Sequence, residues 1–324
     1  IDPETGQQDY VFRDAPWFGD DDTCFEYLYT DVLGDDPDPS GAALGAVWAD
    51  HVRYPAFYIA NRQARWLIEQ GAAPPDTGSA RRNVHWYAID SQITTEALGA
   101  LAPGCRQRAA DLAGRFGGVT NAGYALHAAQ FYAAMYAAAA FESDVETLVE
   151  LGKQVVPTTS RTRTIIEDVQ AWHQQDLADQ SPDWRATQSL IYDRYYLQSQ
   201  GRYYTWVESS VNTAMTVLAL LYGQGDFTET VEIGVQAGFD ADCNPATAGG
   251  LVGLIDGCAS LPQDYRDRAA DDYEATGWLR DIDRTATLDE IAADLQAAAE
   301  GQIVQAGGWI TGEGAARTYH LPDD

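Results

Sequence analysis

Lysine is almost missing from this chain: Lys153 stands alone among 324 residues. Acidic residues outnumber basic ones 49 to 20, for a formal net charge of −29. A chain with that balance repels nucleic-acid phosphate and anionic bilayers, so neither nucleic acid nor a membrane is expected as a partner. A GC-rich genome that swaps Lys for Arg and a saline habitat that selects acidic surfaces both produce such a composition. Long apolar runs are also missing, and none approaches the ~20 residues of a membrane-crossing helix. The opening IDPETGQQDYVF shows no leader, a cleaved one would leave no trace, and the expected compartment is the cytoplasm. Cysteine is scarce. Cys24, Cys105, Cys243 and Cys258 lack CxxC spacing, which argues against a zinc knuckle and for free thiols. Finally, no alternating β-branched run lies between turn pairs, and no repeat of fixed period is evident.

Helical patterns fill the space that these absences leave. With 45% hydrophobic residues the chain can bury a sizeable core. Helical spacing runs through Ala56–Gly71, through Val84–Gly104 with the stripe Ile89, Ile93, Ala97 and Leu101, and through Thr285–Gly308. Ala125–Glu142 and Trp206–Tyr222 are apolar on nearly every face and belong in the core. His127, inside the first of these, reads as a satisfied core histidine. Ser143 with Glu146 reads as a capping box. The expectation is an all-α fold in one domain: an irregular arm over 1–19, a helical body over 20–308 and a tail over 309–324.

Two acidic stretches stand out. In FGDDDTCFEYLYTDVLG, Thr23 and Glu26 have the spacing of a capping box, so Asp20, Asp21 and Asp22 fall at a helix mouth. Acidic residues suit a helix N-terminus on dipole grounds, but three in succession exceed what capping needs. In GFDADCNPATAGG, Asn244 reads as an N-cap and Pro245 as the first helical position, which places Asp240 and Asp242 on a turn into a buried helix. Buried carboxylates need partners, and no Lys or Arg lies near in sequence. If the two mouths meet, five carboxylates converge. Oxygen ligation of that density suits Mg²⁺, Mn²⁺ or Ca²⁺ better than Zn²⁺, and two such ions could share the carboxylates.

These motifs resemble those of the ADP-ribosylglycohydrolase family. GDDDT is similar to its early T/S-D-D motif, with Asp20 in the Thr/Ser place, and DADCN to its late D-x-D-T/C motif. ALLYGQGDF, NVHWYAIDSQI, AAQFYAAMYAAAAF and the Pro74–Gly78 loop add to the likeness, which runs from about Phe18 to Gly308. The resemblance implies an all-α orthogonal multi-helix bundle holding two Mg²⁺ ions. Asp20, Asp21, Asp22, Asp240 and Asp242 would be ligands, and Cys243 would stand where many members place a hydroxyl. It implies metal-dependent hydrolysis at the anomeric carbon of a small-molecule or protein-linked ribosyl conjugate. Gly78, Asn83 and Asn121 fall where members contact their ligand. The family's Gly-rich first helix and its functional Glu have no counterpart ahead of Asp20, and Gly118 stands roughly where a histidine is expected. Two further readings follow: a hydrolase of another glycoside, such as a nucleoside or oligosaccharide derivative, and a non-catalytic binder that keeps the fold.

Overall fold

The computed structural model describes residues 17–55, 57, 59–178, 182–199, 205–275, 277–282 and 285–322. Most of the arm expected over 1–19 therefore lies outside the described residues. The described chain begins with a two-residue strand, β1 (Trp17–Phe18), and continues into α1 (Asp21–Asp35), α2 (Gly41–His51) and α3 (Ile59–Glu69). After a long looped stretch come α4 (Ala97–Ala100), α5 (Arg106–Gly117), α6 (Gly123–Ala139), α7 (Val145–Lys153), α8 (Arg161–Leu177) and α9 (Trp184–Ile191). The third group is α10 (Ser209–Gly223), α11 (Phe227–Ala237), α12 (Cys243–Asp256) and α13 (Gln263–Arg268). The body closes with β2 (Asp272–Glu274), β3 (Thr285–Thr287) and α14 (Leu288–Gln305), followed by a hairpin of β4 (Trp309–Thr311) and β5 (Thr318–His320). The fold is all-α. Its strands are two or three residues long, too short to show an alternating pattern in sequence. β2 pairs in parallel with β1 and antiparallel with β3.

Two hydrophobic clusters hold the body together. The larger is built around α6 and α10, with Phe131, Tyr132, Leu218 and Leu251 among its buried members. Alanine dominates α6 because it is the best helix former and lets neighbours approach closely. At Gly99 in α4 a Cβ would collide with the Ala133 carbonyl of α6, so the backbones there are in contact. The second cluster joins α1, α2, α5 and α14, with Phe25 stacked on Trp48 at a centroid distance of 4.7 Å. The first aspartates thus begin a helix rooted in one cluster, and the late ones begin a helix rooted in the other.

Three local expectations change. Of Val84–Gly104, only Ala97–Ala100 is α-helix. The remainder is turns that bury Asp90, Ser91, Gln92, Thr94, Thr95 and Glu96. Polar side chains offer that backbone other partners: the Ser91 N–H donates to Asn121 Oδ1 at 3.0 Å, and the Thr95 hydroxyl to the Ser91 carbonyl at 2.6 Å. In α7 the N-cap is Asp144, which accepts from the Thr147 N–H, instead of Ser143. At α14 the helix begins later than Thr285, at a full capping box of Thr287 and Glu290. Among the described residues no helix is long and apolar enough to cross a membrane. All four cysteines are free.

Candidate metal centre and adjoining cavity

At the early turn Asp20, not Thr23, caps α1. Its carboxylate accepts from the Thr23 N–H at 3.4 Å and from the Thr23 hydroxyl at 3.2 Å. Aspartate caps a helix as well as threonine does, and it comes three residues earlier, so the helix starts there. Asp22 accepts from the same Thr23 N–H at 2.7 Å and is buried. Glu26 is consequently an interior residue of α1, with no capping role. Burial, and then the charge of Glu96, hold its carboxyl well above the usual carboxylate range.

At the late turn α11 stops at Ala237, and Gly238 and Phe239 follow with φ of +83° and +62°. Two successive left-handed residues swing the chain sharply into Asp240. Asp242 is the N-cap of α12, and Asn244 lies in the first turn. The Asn244 amide is occupied elsewhere. Its Oδ1 accepts from the Thr216 hydroxyl at 3.1 Å, and its Nδ2 donates to Asn212 Oδ1 at 2.8 Å. Pro245 is tolerated there because first-turn amides have no intrahelical acceptor. Asn212 Oδ1 also accepts from the Asp240 N–H at 3.1 Å, so one amide on buried α10 fixes both ends of the acidic turn. Replacing Asn212 by Ala should orphan a buried N–H and a buried amide and lower stability by about 1–3 kcal/mol for each, measured by urea unfolding.

The two turns face one another. Asp21, Asp240, Asp242 and Cys243 line a cavity of about 380 Å³ with Asp90, Ile59, Ile89, Ile93, Trp206 and Val207. Ligand atoms of Asp20, Asp21 and Asp22 lie within 4.8 Å of one another, and so do those of Asp240, Asp242 and Cys243. Burial, then Asp20 and Asp242, push the Asp21 carboxyl up to about 6. Burial, then Asp242 and Asp21, push Asp240 up to about 8. Burial raises Asp22 strongly, helped by Asp20. The Cys243 thiol is driven far above its usual range by burial and by Asp22, Asp240, Asp242 and Asp21. Thiol sulfur also prefers softer ions, which makes Cys243 a poor partner for a hard one. No Lys or Arg is among the described lining residues. Carboxylate oxygens gathered in this way, with their negative charge uncompensated, fit a hard divalent cation.

Gly78, Asn83 and Asn121 are outside the described lining of this cavity. Asn83 Nδ2 donates to the Ala60 and Thr120 carbonyls, and its Oδ1 accepts from the His85 N–H. Asn121 Nδ2 donates to the Trp86 and Ala88 carbonyls, while its Oδ1 accepts from Ser91 N–H and the Thr120 hydroxyl. Both amides tie together the loops behind the cavity. A Cβ on Gly78 would run into the Gly118 carbonyl and come within 2.7 Å of the Asn121 N–H. Gly78→Ala should therefore cost about 1–3 kcal/mol in chemical denaturation, through backbone displacement. His127 is satisfied as expected, with Nδ1 2.8 Å from the Ser160 hydroxyl.

Asp90 is the chief addition to the expected set. It is buried, and its carboxylate accepts from the Asn61 N–H at 2.9 Å near the start of α3. Burial raises it to about 7 in spite of that hydrogen bond, and Asp21 adds to the rise. Behind the centre, Glu96 accepts from the Thr247 hydroxyl at 2.8 Å, and burial raises its carboxyl too.

An all-α body thus brings Asp21 of the early turn and Asp240 and Asp242 of the late turn to one cavity. The sequence pattern of the ADP-ribosylglycohydrolase family matches residues 5–303, nearly the whole chain. The chain belongs to the ADP-ribosylglycohydrolase family. No curated protein matches it.

Proposed function

We propose that this protein hydrolyses the glycosidic bond of a ribosyl conjugate of the ADP-ribosyl type, with divalent cations, Mg²⁺ foremost, held by Asp20, Asp21, Asp22, Asp240 and Asp242. The observation that carries the reading is the single acidic cavity shared by Asp21 from the early turn and Asp240 and Asp242 from the late one. Such ions supply a Lewis acid and offset the negative charge of the carboxylates. The protein's own residues do the rest. Asp240 and Asp242 are held in place by the Asn212 amide and the first turn of α12. Asp90, with its carboxyl near neutrality, is suited to take a proton from the water whose oxygen bonds to the anomeric carbon, and to return it to the leaving group as the glycosidic bond breaks. Ile89, Ile93 and Val207 make one side of the cavity apolar.

The test is release of ADP-ribose or another free sugar from ribosyl conjugates, with Mg²⁺ and with a chelator. Turnover that requires the ion supports the proposal. No turnover on any ribosyl or glycosyl substrate overturns it, and ion-dependent binding without turnover would leave the non-catalytic reading in its place.

A further inference from the structure

Phe239 stands in a conformation that its residue type disfavours. Its φ of +62° lies in the left-handed region, where a Cβ crowds the following carbonyl and a bulky side chain is rare. Glycine would take that place freely. Strain of this kind persists only where surrounding contacts fix it, and here the contacts are rings. Phe239 packs edge-on against Tyr196 at a centroid distance of 5.0 Å and tilted against Tyr192 at 6.2 Å, and the two tyrosines lie 5.3 Å from each other. Both tyrosines belong to a single π-helical turn, Tyr192–Tyr196, that follows α9 directly. That turn is anchored on α8, where Asp168 accepts from the Tyr195 hydroxyl at 2.6 Å and from Arg194 Nε at 3.1 Å. In turn α9 grips the end of α11: Gln188 Nε2 donates to the Ala237 carbonyl and Arg185 to Gln236 Oε1, each at 2.8 Å. A bracket built from α8 and α9 thus closes on the stretch that leads into Asp240.

We propose that Phe239 is a positioning residue, and that its ring, held by Tyr196 and Tyr192, keeps the acidic turn in the form that delivers Asp240 to the cavity before any ligand arrives. Phe239 is outside the described lining of that cavity, so it acts through the backbone it shares with Asp240. The Asp240 N–H meets Asn212 Oδ1 at 3.1 Å in the same turn. Like charges on Asp21, Asp240 and Asp242 push these side chains apart and work to open the turn. The aromatic bracket opposes that opening, so the turn is ordered on folding and not on binding. Its effect on ion affinity rests on the metal-centre reading above, whereas its effect on the turn does not.

The experiment is amide hydrogen exchange of the full chain without added metal, resolved at Asp240, in wild type, Phe239→Gly, Phe239→Tyr and Tyr196→Leu. Gly accepts the left-handed φ, so it removes the ring and leaves the backbone unstrained. Exchange at Asp240 should quicken about tenfold in Phe239→Gly, which loses both ring contacts, and about threefold in Tyr196→Leu, which loses one. Phe239→Tyr should keep the wild-type rate, and amides in α10 should keep their protection in every variant. Tyr196→Leu leaves the turn's own sequence intact, so it separates loss of a ring contact from the added freedom of glycine, and it serves where Phe239→Gly does not fold. Calorimetric titration with Mg²⁺ should show binding weakened by the same factors. Exchange at Asp240 that is unchanged in Tyr196→Leu, or that quickens only in step with α10, would overturn the inference. So would a loosened turn that binds Mg²⁺ as tightly as wild type does. If the wild type takes up no Mg²⁺, the metal-centre reading fails and the exchange rates alone decide the role of Phe239.

Discussion

Asp90→Asn will lower kcat by about 10²- to 10⁴-fold, the usual contribution of a positioned general acid or base, and leave KM within a few-fold. Asn keeps the size of the side chain and can still accept from the Asn61 N–H, so the start of α3 survives. What it loses is a proton site near neutral pH. Burial is the main reason for the raised Asp90 carboxyl, so the wild-type rate should follow a titration near pH 7 that is absent from the variant. Steady-state kinetics between pH 5 and 9 on any turned-over riboside, the pH range spanning about two units either side of that value, checks this. Equal kcat in the two proteins would remove Asp90 from the chemistry.

Mg²⁺ will raise the melting temperature, and more at pH 8 than at pH 5. In the ion-free protein Asp21 and Asp240 have carboxyls raised to about 6 and about 8, against 3.8 for the unperturbed group. The folded state then holds more protons than the unfolded chain, so this contribution to stability is present at low pH and is lost as pH rises through those values. A divalent ion needs the ionised carboxylates and reverses the trend. At a hundredfold excess over Kd it adds about 2.7 kcal/mol, worth several degrees in a chain of this size. Thermal unfolding with and without Mg²⁺ reads the effect directly. Asp21→Asn and Asp242→Asn should each reduce the Mg²⁺ shift. A wild-type protein that melts at the same temperature with saturating Mg²⁺ at pH 8 would exclude the ion from this cavity.

Much of this was legible in the residues. Long helices with strong periodicity, such as α6, α10 and α14, lie close to where their apolar runs place them. Two helix mouths of like composition made a meeting of five carboxylates conceivable, and Asp21, Asp240 and Asp242 do share a cavity, whereas Asp20 and Asp22 are outside its described lining. The caps were less legible, because several Asp, Ser and Thr residues in a row compete and the backbone chooses among them at a cost of only tenths of a kcal/mol. Asp90 was hidden by periodicity: Ile89, Ile93, Ala97 and Leu101 imitate a helical stripe, whereas the chain there is turns held by side-chain hydrogen bonds. The signal available was the polar run DSQ-TTE inside that stripe. Asn212 could have been found in a similar way, as an amide inside an apolar helix that had to find partners. The role given to Gly78, Asn83 and Asn121 depended on resemblance, and a residue in a ligand-contact place can equally hold the loop that makes the contact.

The acidic cavity is assembled from the start of α1 and the start of α12, each rooted in a different hydrophobic cluster. An ion shared by the two turns would be caged only once both halves of the body have docked, and its capture would report on assembly of the whole. Fragments ending before α12 would hold half a cage, and metal occupancy in a preparation would count the fully docked molecules.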